Sequence, residues 1–401
     1  MRRAWTIAFF FLLLAAVPAN GNPKRIASVP FEMVGSYVVI KAKINESTTL
    51  NLILDSGIRN TIITELMPGD RISLNYYDVK ELMGLGGGEV LEAYASNSNT
   101  LKVGRLKFPN RTVYVLKNDV FNLSKHTGTK INGLLGVDFF RDHAIEIDYT
   151  RRRISFYESK TVDLPKGYAS LPLTLEAQKM FVELSVFETD STRKQVKMLI
   201  DTGAELNAWF QTTSKESVHL PAKWIQGTIG EGFNGIITGK YGHIPRICFG
   251  NFCLENPIVC FPDSLAINSI ISASKRDGTI GSQILSRFNL YIDYSGKMLY
   301  FKPNENFRNR YAYNVAGIEI IQITSLINIP EVLDVWANSP AARAGVQKGD
   351  QIQEINGDKV FNMSVSEIRK IFETPSKHPM HLTLTRGDQQ ITVEIDMKDK
   401  I

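Results

Sequence analysis

Residues 198–206 read MLIDTGAEL, an aliphatic run that ends in an aspartate followed by a hydroxyl residue and a glycine. The run has the character of a buried strand, and a carboxylate taken out of water needs a partner, a metal or a proton. The rest of the chain supplies a partner. Residues 52–57 read LILDSG, so Asp55 precedes Asp201 by 146 positions. Other landmarks keep that interval: Gly84 and Gly86 of MGLG fall on Gly230 and Gly232 of IGEG, and Gly104 falls on Gly250. With one residue less, Gly136 of GLLG meets Gly281 of GTIG, and IDYTRRRISFY meets IDYSGKMLYFK. The chain is read as two homologous halves.

Each half is β-rich. Val182, Leu184 and Val186, then Val196, Met198 and Ile200, alternate as in a hairpin with one buried face, and YVVIKAKI with LNLIL does the same earlier. Both halves thus approach their aspartate along a strand. GLLGVDFFRDH and GTIGSQILSRF read as a strand end followed by a short helix, and each IDY opens a last strand. TVDLPKGY, residues 161–168, has the composition of a linker. Beyond about Pro303 the pattern changes. Ser339 and Pro340 open a short helix that Gly345 ends, Ser364 and Glu367 form a capping box for a second, and MHLTLTRGDQQITVEIDM closes as a hairpin.

One Asp-Ser/Thr-Gly triplet is weak evidence, with roughly 0.2 expected by chance in such a chain. Two at equivalent points of a repeat carry more. If the halves pair about a pseudo-twofold axis, equivalent residues near the axis meet, and Asp55 faces Asp201. Two carboxylates in contact hold one proton between them, so one can take a proton from water while the other polarises a carbonyl. Gly57 and Gly203 permit close backbone approach, and the Ser56 and Thr202 hydroxyls are placed to brace the two loops.

LILDSG with GLLG, and MLIDTG with GTIG, resemble the catalytic loop and the hydrophobic-hydrophobic-Gly element of aspartic peptidases, once per lobe. DTGA resembles the retropepsin-like branch, and the two-lobed single chain resembles pepsin-type enzymes and bacterial retropepsin-like proteins, over roughly residues 30–303. The resemblance implies a mainly β fold of two homologous acid-protease barrel lobes, at 28–160 and 167–303. It implies an exported endopeptidase acting on polypeptides through Asp55 and Asp201, with Ser56, Gly57, Thr202 and Gly203 supporting the loops. Gly84, Gly86 and Gly87, and Gly230 and Gly232, would lie in flaps over the substrate. ANSPAARAGVQKGDQIQEING resembles a PDZ domain of the bacterial peptidase-associated kind, a small α+β unit over 313–398. There Gly317 and Ile318 would present N–H groups to a peptide C-terminus, which adds a strand to the sheet. The other reading is that the chain's own segments fill that groove and the unit serves packing.

The chain departs from pepsin-type enzymes after each triplet, where Ile58 and Ala204 stand in place of a hydroxyl residue. With no hydroxyl to bond the ionised form, the dyad is expected to be less acidic than pepsin's, with activity toward weakly acidic or neutral pH. A profile peaking below about pH 3 contradicts this.

Composition bounds the alternatives. The chain has 401 residues, 43% hydrophobic and 22% charged, with a formal charge of +5. Arg2 and Arg3 contribute two of those charges and sit in MRRAWTIAFFFLLLAAVPA, read as an export signal at 1–19. Its apolar stretch, Trp5 to Ala16, is shorter than the ~18–20 residues of a bilayer span. We expect a monomer in the periplasm or outside the cell, with no membrane span in the mature chain, no nucleic acid partner, no cofactor and no metal. GEGFNG at 230–235 satisfies the dinucleotide fingerprint, but IITGKYGHIP after it is no helix. The six histidines show no zinc-peptidase pattern, and no serine nucleophile motif accompanies the PDZ-like unit. Cys248 and Cys253 flank Phe-Gly-Asn-Phe and are either a hairpin disulfide or, with Cys260, buried thiols. A peptide-binding scaffold without turnover is the alternative function.

Overall fold

The computed structural model describes residues 24–82, 90–158, 167–212, 217–232, 235–263, 275–323 and 329–401. The leader 1–19, the glycines Gly84, Gly86 and Gly87 and most of the 161–168 join lie outside the described residues.

The two halves fold alike because the same local patterns recur. In the first, Tyr37–Ile44 pairs antiparallel with Leu50–Leu54, burying Val38, Ile40, Ala42 and Ile44 while Lys41 and Lys43 face solvent. In the second, Lys179–Phe187 pairs with Arg193–Ile200 in the same way. A strand from farther along each half then inserts in parallel beside the one that carries the aspartate. Leu52, Ile53 and Leu54 pair with Gly133, Leu134 and Leu135, and Met198, Leu199 and Ile200 pair with Gly278, Thr279 and Ile280. The glycines opening these insertions are required by close approach. A Cβ on Gly133 would lie 2.0 Å from the Ile62 carbonyl, and one on Gly278 2.1 Å from that of Trp209. A 3-10 turn at Val137–Phe140 and an α-helix at Ser282–Leu285 follow, as the sequence pattern predicts.

The lobes are joined edge to edge. Ala144–Asp148 pairs antiparallel with Phe288–Asp293, setting Ile145 opposite Ile292 and Ile147 opposite Leu290, at the centre of a six-stranded sheet drawn from both halves. One continuous apolar core runs from Ala27 through Phe139 and Ile200 to Phe301. The result is a mainly β, two-lobed body, followed along the chain by a small α+β unit. Cys248 and Cys253 face each other across the hairpin Arg246–Phe249/Phe252–Glu255 and are disulfide-bonded, whereas Cys260 is a buried free thiol. Among the described residues no helix is long and apolar enough to cross a membrane.

The C-terminal unit is a sheet of Ile318–Gln322, Pro330–Val335, Gln351–Ile355, Met380–Arg386 and Gln389–Ile395 with two helices. Ser339 caps Pro340–Arg343 by accepting from the Ala342 N–H at 3.0 Å. The Ser364/Glu367 capping box opens Val365–Phe372, which buries Val365, Ile368 and Phe372. The unit is packed against the lobes. The approach segment is gripped by Arg287, whose guanidinium donates to the carbonyls of Asn306, Phe307 and Asn309 and lies over the Tyr311 ring. Trp336 stacks on Tyr241 with ring centroids 5.3 Å apart, and its ring leaves no room for a Cβ on Gly227, which would come within 2.5 Å.

Trp336 is 5% exposed, so truncation would leave a cavity at this junction. Trp336→Ala is expected to cost about 3–5 kcal/mol, measured by chemical unfolding, with the Tyr241 fluorescence environment changing in the native state.

Candidate active site

Each aspartate stands just past the strand that carries it. The Asp55 N–H donates to the Leu135 carbonyl at 2.9 Å and that of Asp201 to the Ile280 carbonyl at 3.0 Å, so each inserted strand positions its own acid. The Gly57 N–H donates to Asp55 Oδ1 at 2.8 Å, and the Gly203 N–H to Asp201 Oδ1 at 3.1 Å. The two side chains are in hydrogen-bond contact with one another. Their glycines cross over: a Cβ on Gly57 would fall 2.4 Å from Asp201 Oδ2, and one on Gly203 2.3 Å from Asp55 Cγ. Any side chain at either position would displace the opposite carboxyl.

The next residues lock this arrangement. Ser56 Oγ donates to the Ile200 carbonyl and Thr202 Oγ1 to the Leu54 carbonyl, both at 2.7 Å. In return the Ser56 N–H donates to Thr202 Oγ1 at 3.1 Å and the Thr202 N–H to Ser56 Oγ at 3.0 Å. Both residues are fully buried, so these bonds replace hydration that the loops have lost.

Burial raises the pKa of both acids, and the neighbouring Asp201 charge adds to the rise at Asp55. Lys179 pulls both acids back down and Arg276 pulls on Asp201, so the pair is asymmetric. The ionised form is favoured at Asp201 and the proton at Asp55. Ile58 and Ala204 bring no hydroxyl to the carboxylates.

The dyad lies on the wall of a cavity of about 940 Å³ whose lining comes from both lobes and from the C-terminal unit. Gly230 and Gly232 belong to the hairpin Trp224–Gly232/Gly235–His243, which lines the cavity, and Glu231 between them reaches His126 of the first lobe at 3.4 Å. Gly84, Gly86 and Gly87, in the equivalent stretch of the first lobe, are outside the described residues. Among the described residues no cluster of three or more His, Cys, Asp or Glu is placed to hold a metal.

The C-terminal unit supplies Trp336, Arg369, Phe372 and Glu373 to the same cavity. Its peptide-binding edge is not open. The Gly317 and Ile318 N–H groups donate to the Asn314 side-chain oxygen, at 2.9 and 3.3 Å, and the Ala316 N–H to the Phe372 carbonyl. The helix Leu123–Thr127 of the first lobe packs on both the strand Ile318–Gln322 and the helix Val365–Phe372. A Cβ on Gly128 would lie 2.8 Å from Val365. Of the two sequence readings of this groove, the arrangement matches the one in which the chain's own segments occupy it.

Sequence reasoning missed the junction between cleft and C-terminal unit. Glu205 accepts from the Ser36 N–H at 2.8 Å and faces Arg369 at 3.6 Å. Glu205 belongs to MLIDTGAEL, yet its partners are 169 positions earlier and in the last domain, and no local pattern signals them. Glu319 is half-buried in the same cluster, held by the Trp336 Nε1–H at 3.0 Å and by Asn314. Glu373 is pushed up to about 7, first by burial and then by Glu205, with Arg369 opposing.

Comparison with known families places these observations. The family described as aspartyl protease matches residues 40–139 and the PDZ domain family matches residues 331–386. Among solved structures, the aspartic proteinase from Irpex lacteus aligns at 14% identity over 71% of this chain and 98% of that one, with a TM-score of 0.41. No curated protein matches the chain.

The shift at Glu373 gives the junction a pH dependence. The folded chain binds that proton more tightly than the unfolded chain, so the contribution is complete below the ordinary carboxyl value of 4.5 and is lost as pH rises toward about 7. Thermal unfolding of the wild-type chain is expected to be more favourable at pH 8 than at pH 6, by a larger margin than in Glu373→Gln, which removes this titration.

The first lobe therefore contains an aspartyl protease domain, and the two-lobed body built on it carries a PDZ domain at its C-terminal end.

Proposed function

We propose that the chain is an exported aspartic endopeptidase that hydrolyses peptide bonds by water activation between Asp55 and Asp201. The observation that carries this reading is the crossed contact of the two aspartates on the wall of a cavity large enough for a peptide. In the working state Asp201 is ionised and Asp55 holds the proton. Asp201 takes a proton from a water lying between the carboxyls as that water attacks the amide carbon. Asp55 donates to the carbonyl oxygen, and the proton then passes to the departing nitrogen. The Ser56–Thr202 lattice keeps the carboxyls in place, so little reorganisation accompanies the reaction.

The PDZ domain is assigned a part in shaping the cleft. Asn314 already occupies the N–H groups that would receive a peptide terminus, and Arg369, Glu373 and Trp336 line the cavity. This favours a fixed wall over recruitment of free chain ends. Export rests on the leader pattern of residues 1–19.

Asp201→Asn should lower kcat/KM on an unfolded protein substrate by about a thousandfold or more, with the fold retained by circular dichroism; a rate left intact refutes the assignment. The pH profile should be bell-shaped with its maximum at weakly acidic to neutral pH. Its acid limb follows protonation of Asp201, and its alkaline limb follows loss of the proton on Asp55.

A further inference from the structure

The two sides of the dyad are built from equivalent positions with opposite chemistry. Ile53 and Leu199 are repeat equivalents, and they pair with Val39 and Phe181 respectively. Two residues earlier on those strands stand Tyr37 in the first lobe and Lys179 in the second. The inserted strands give a second comparison: two residues before Gly133 stands Ile131, and two before Gly278 stands Arg276. The first lobe thus fills these places with tyrosine and isoleucine, and the second with two cations. The fold does not require the cations, because its other half does without them.

Among the described residues neither cation forms a salt bridge with an acid, although both feel the Asp201 charge. Arg276 is 6% exposed, and its Nε has no hydrogen-bond partner. Its guanidinium lies 5.1 Å from the Trp209 ring centroid, and among the described residues it has neither an ion pair nor a hydrogen-bond acceptor. Lys179 is half-buried and has no ion pair among the described residues. Burial lowers both, Arg276 to about 10, and each also feels the charge of Asp201. Arg59 lies near Lys179 and lines the same cavity. A buried and a half-buried cation with spare donors beside one shared carboxylate charge leave positive charge uncompensated, at a cost that an incoming anion would offset.

We infer that Lys179 and Arg276 form a subsite for a substrate carboxylate, making the cleft selective for peptides with an acidic group on the second-lobe side of the scissile bond. The inference rests on the proposed hydrolysis for its substrate class, but its geometry is independent of turnover. The carboxylate is that of an Asp or Glu side chain or of the peptide's own C-terminus, and the two sources are separable. Lys179 and Arg276 act as specificity-determining residues, with Trp209 fixing the guanidinium plane.

The test is a set of otherwise identical peptides carrying Glu, Gln or Lys at successive positions, each with a free or an amidated C-terminus. Both kcat/KM and competition binding to the wild-type chain are measured. One position should favour Glu over Gln by roughly ten- to hundredfold, with Lys poorer still; a preference that vanishes on amidation assigns the carboxylate to the terminus. In Arg276→Gln and Lys179→Gln the Glu/Gln ratio should fall toward one. If Arg276→Gln does not fold, Lys179→Gln, the less buried of the two, reads the same ratio. Equal use of Glu and Gln at every position with either terminus overturns the inference and leaves the peptidase assignment standing. A ratio unchanged in a folded variant, or a pH optimum that moves equally for Glu and Gln peptides while the ratio stays, also overturns it, because the cations would then only tune the dyad. If no peptide is cut, the peptidase reading fails, and the competition binding still decides the subsite.

Discussion

Ser56 and Thr202 each give a hydroxyl hydrogen to a backbone carbonyl of the opposite lobe and accept an N–H from the opposite loop. Four bonds made by two small residues tie the halves at the one place where both carry a carboxyl. Without them the glycines beyond could not hold the acids in contact, because two like charges out of water repel and each favours a path to solvent. The parallel insertions at Gly133–Leu135 and Gly278–Ile280 back this lattice from behind by fixing the N–H of each aspartate. Removing either hydroxyl would leave a buried N–H and a buried carbonyl without partners.

The pseudo-twofold axis is kept where the chain must bring two acids together and abandoned around them. Tyr37 and Ile131 occupy the positions equivalent to Lys179 and Arg276, and Arg59 is the repeat equivalent of Glu205. The same backbone therefore presents a cationic flank on one side of the dyad. On the other side Glu205 meets Ser36 and Arg369. A duplicated fold places equivalent positions near one another, and substitution at those positions can polarise a cleft without disturbing the packing that shapes it.

The PDZ domain is part of this polarised surface. Arg287 fixes the approach segment, Trp336 is stacked on Tyr241, and Arg369 reaches Glu205. The groove between Ile318–Gln322 and Val365–Phe372, which in an isolated domain would be open, faces the helix Leu123–Thr127. Asn314 stands in for a ligand at the Gly317–Ile318 amides.

The duplication, the two aspartates, the hydroxyl braces and the caps of the last domain were legible in the sequence, whereas the parallel pairing of Gly133–Leu135 and Gly278–Ile280 beside the aspartate strands was not. Each legible feature rests on a local pattern of residue type and spacing, and the repeat carries the pattern twice. Whether Cys248 and Cys253 bond was open in the sequence and was decided by the hairpin register that sets them opposite each other. The placement of the PDZ domain on the cleft, the closed groove, the Glu205–Arg369 pair and the position of Lys179 and Arg276 beside the dyad belong to tertiary structure alone. Those features join residues far apart in the chain through packing and shared burial, and neither periodicity nor spacing records which surfaces meet.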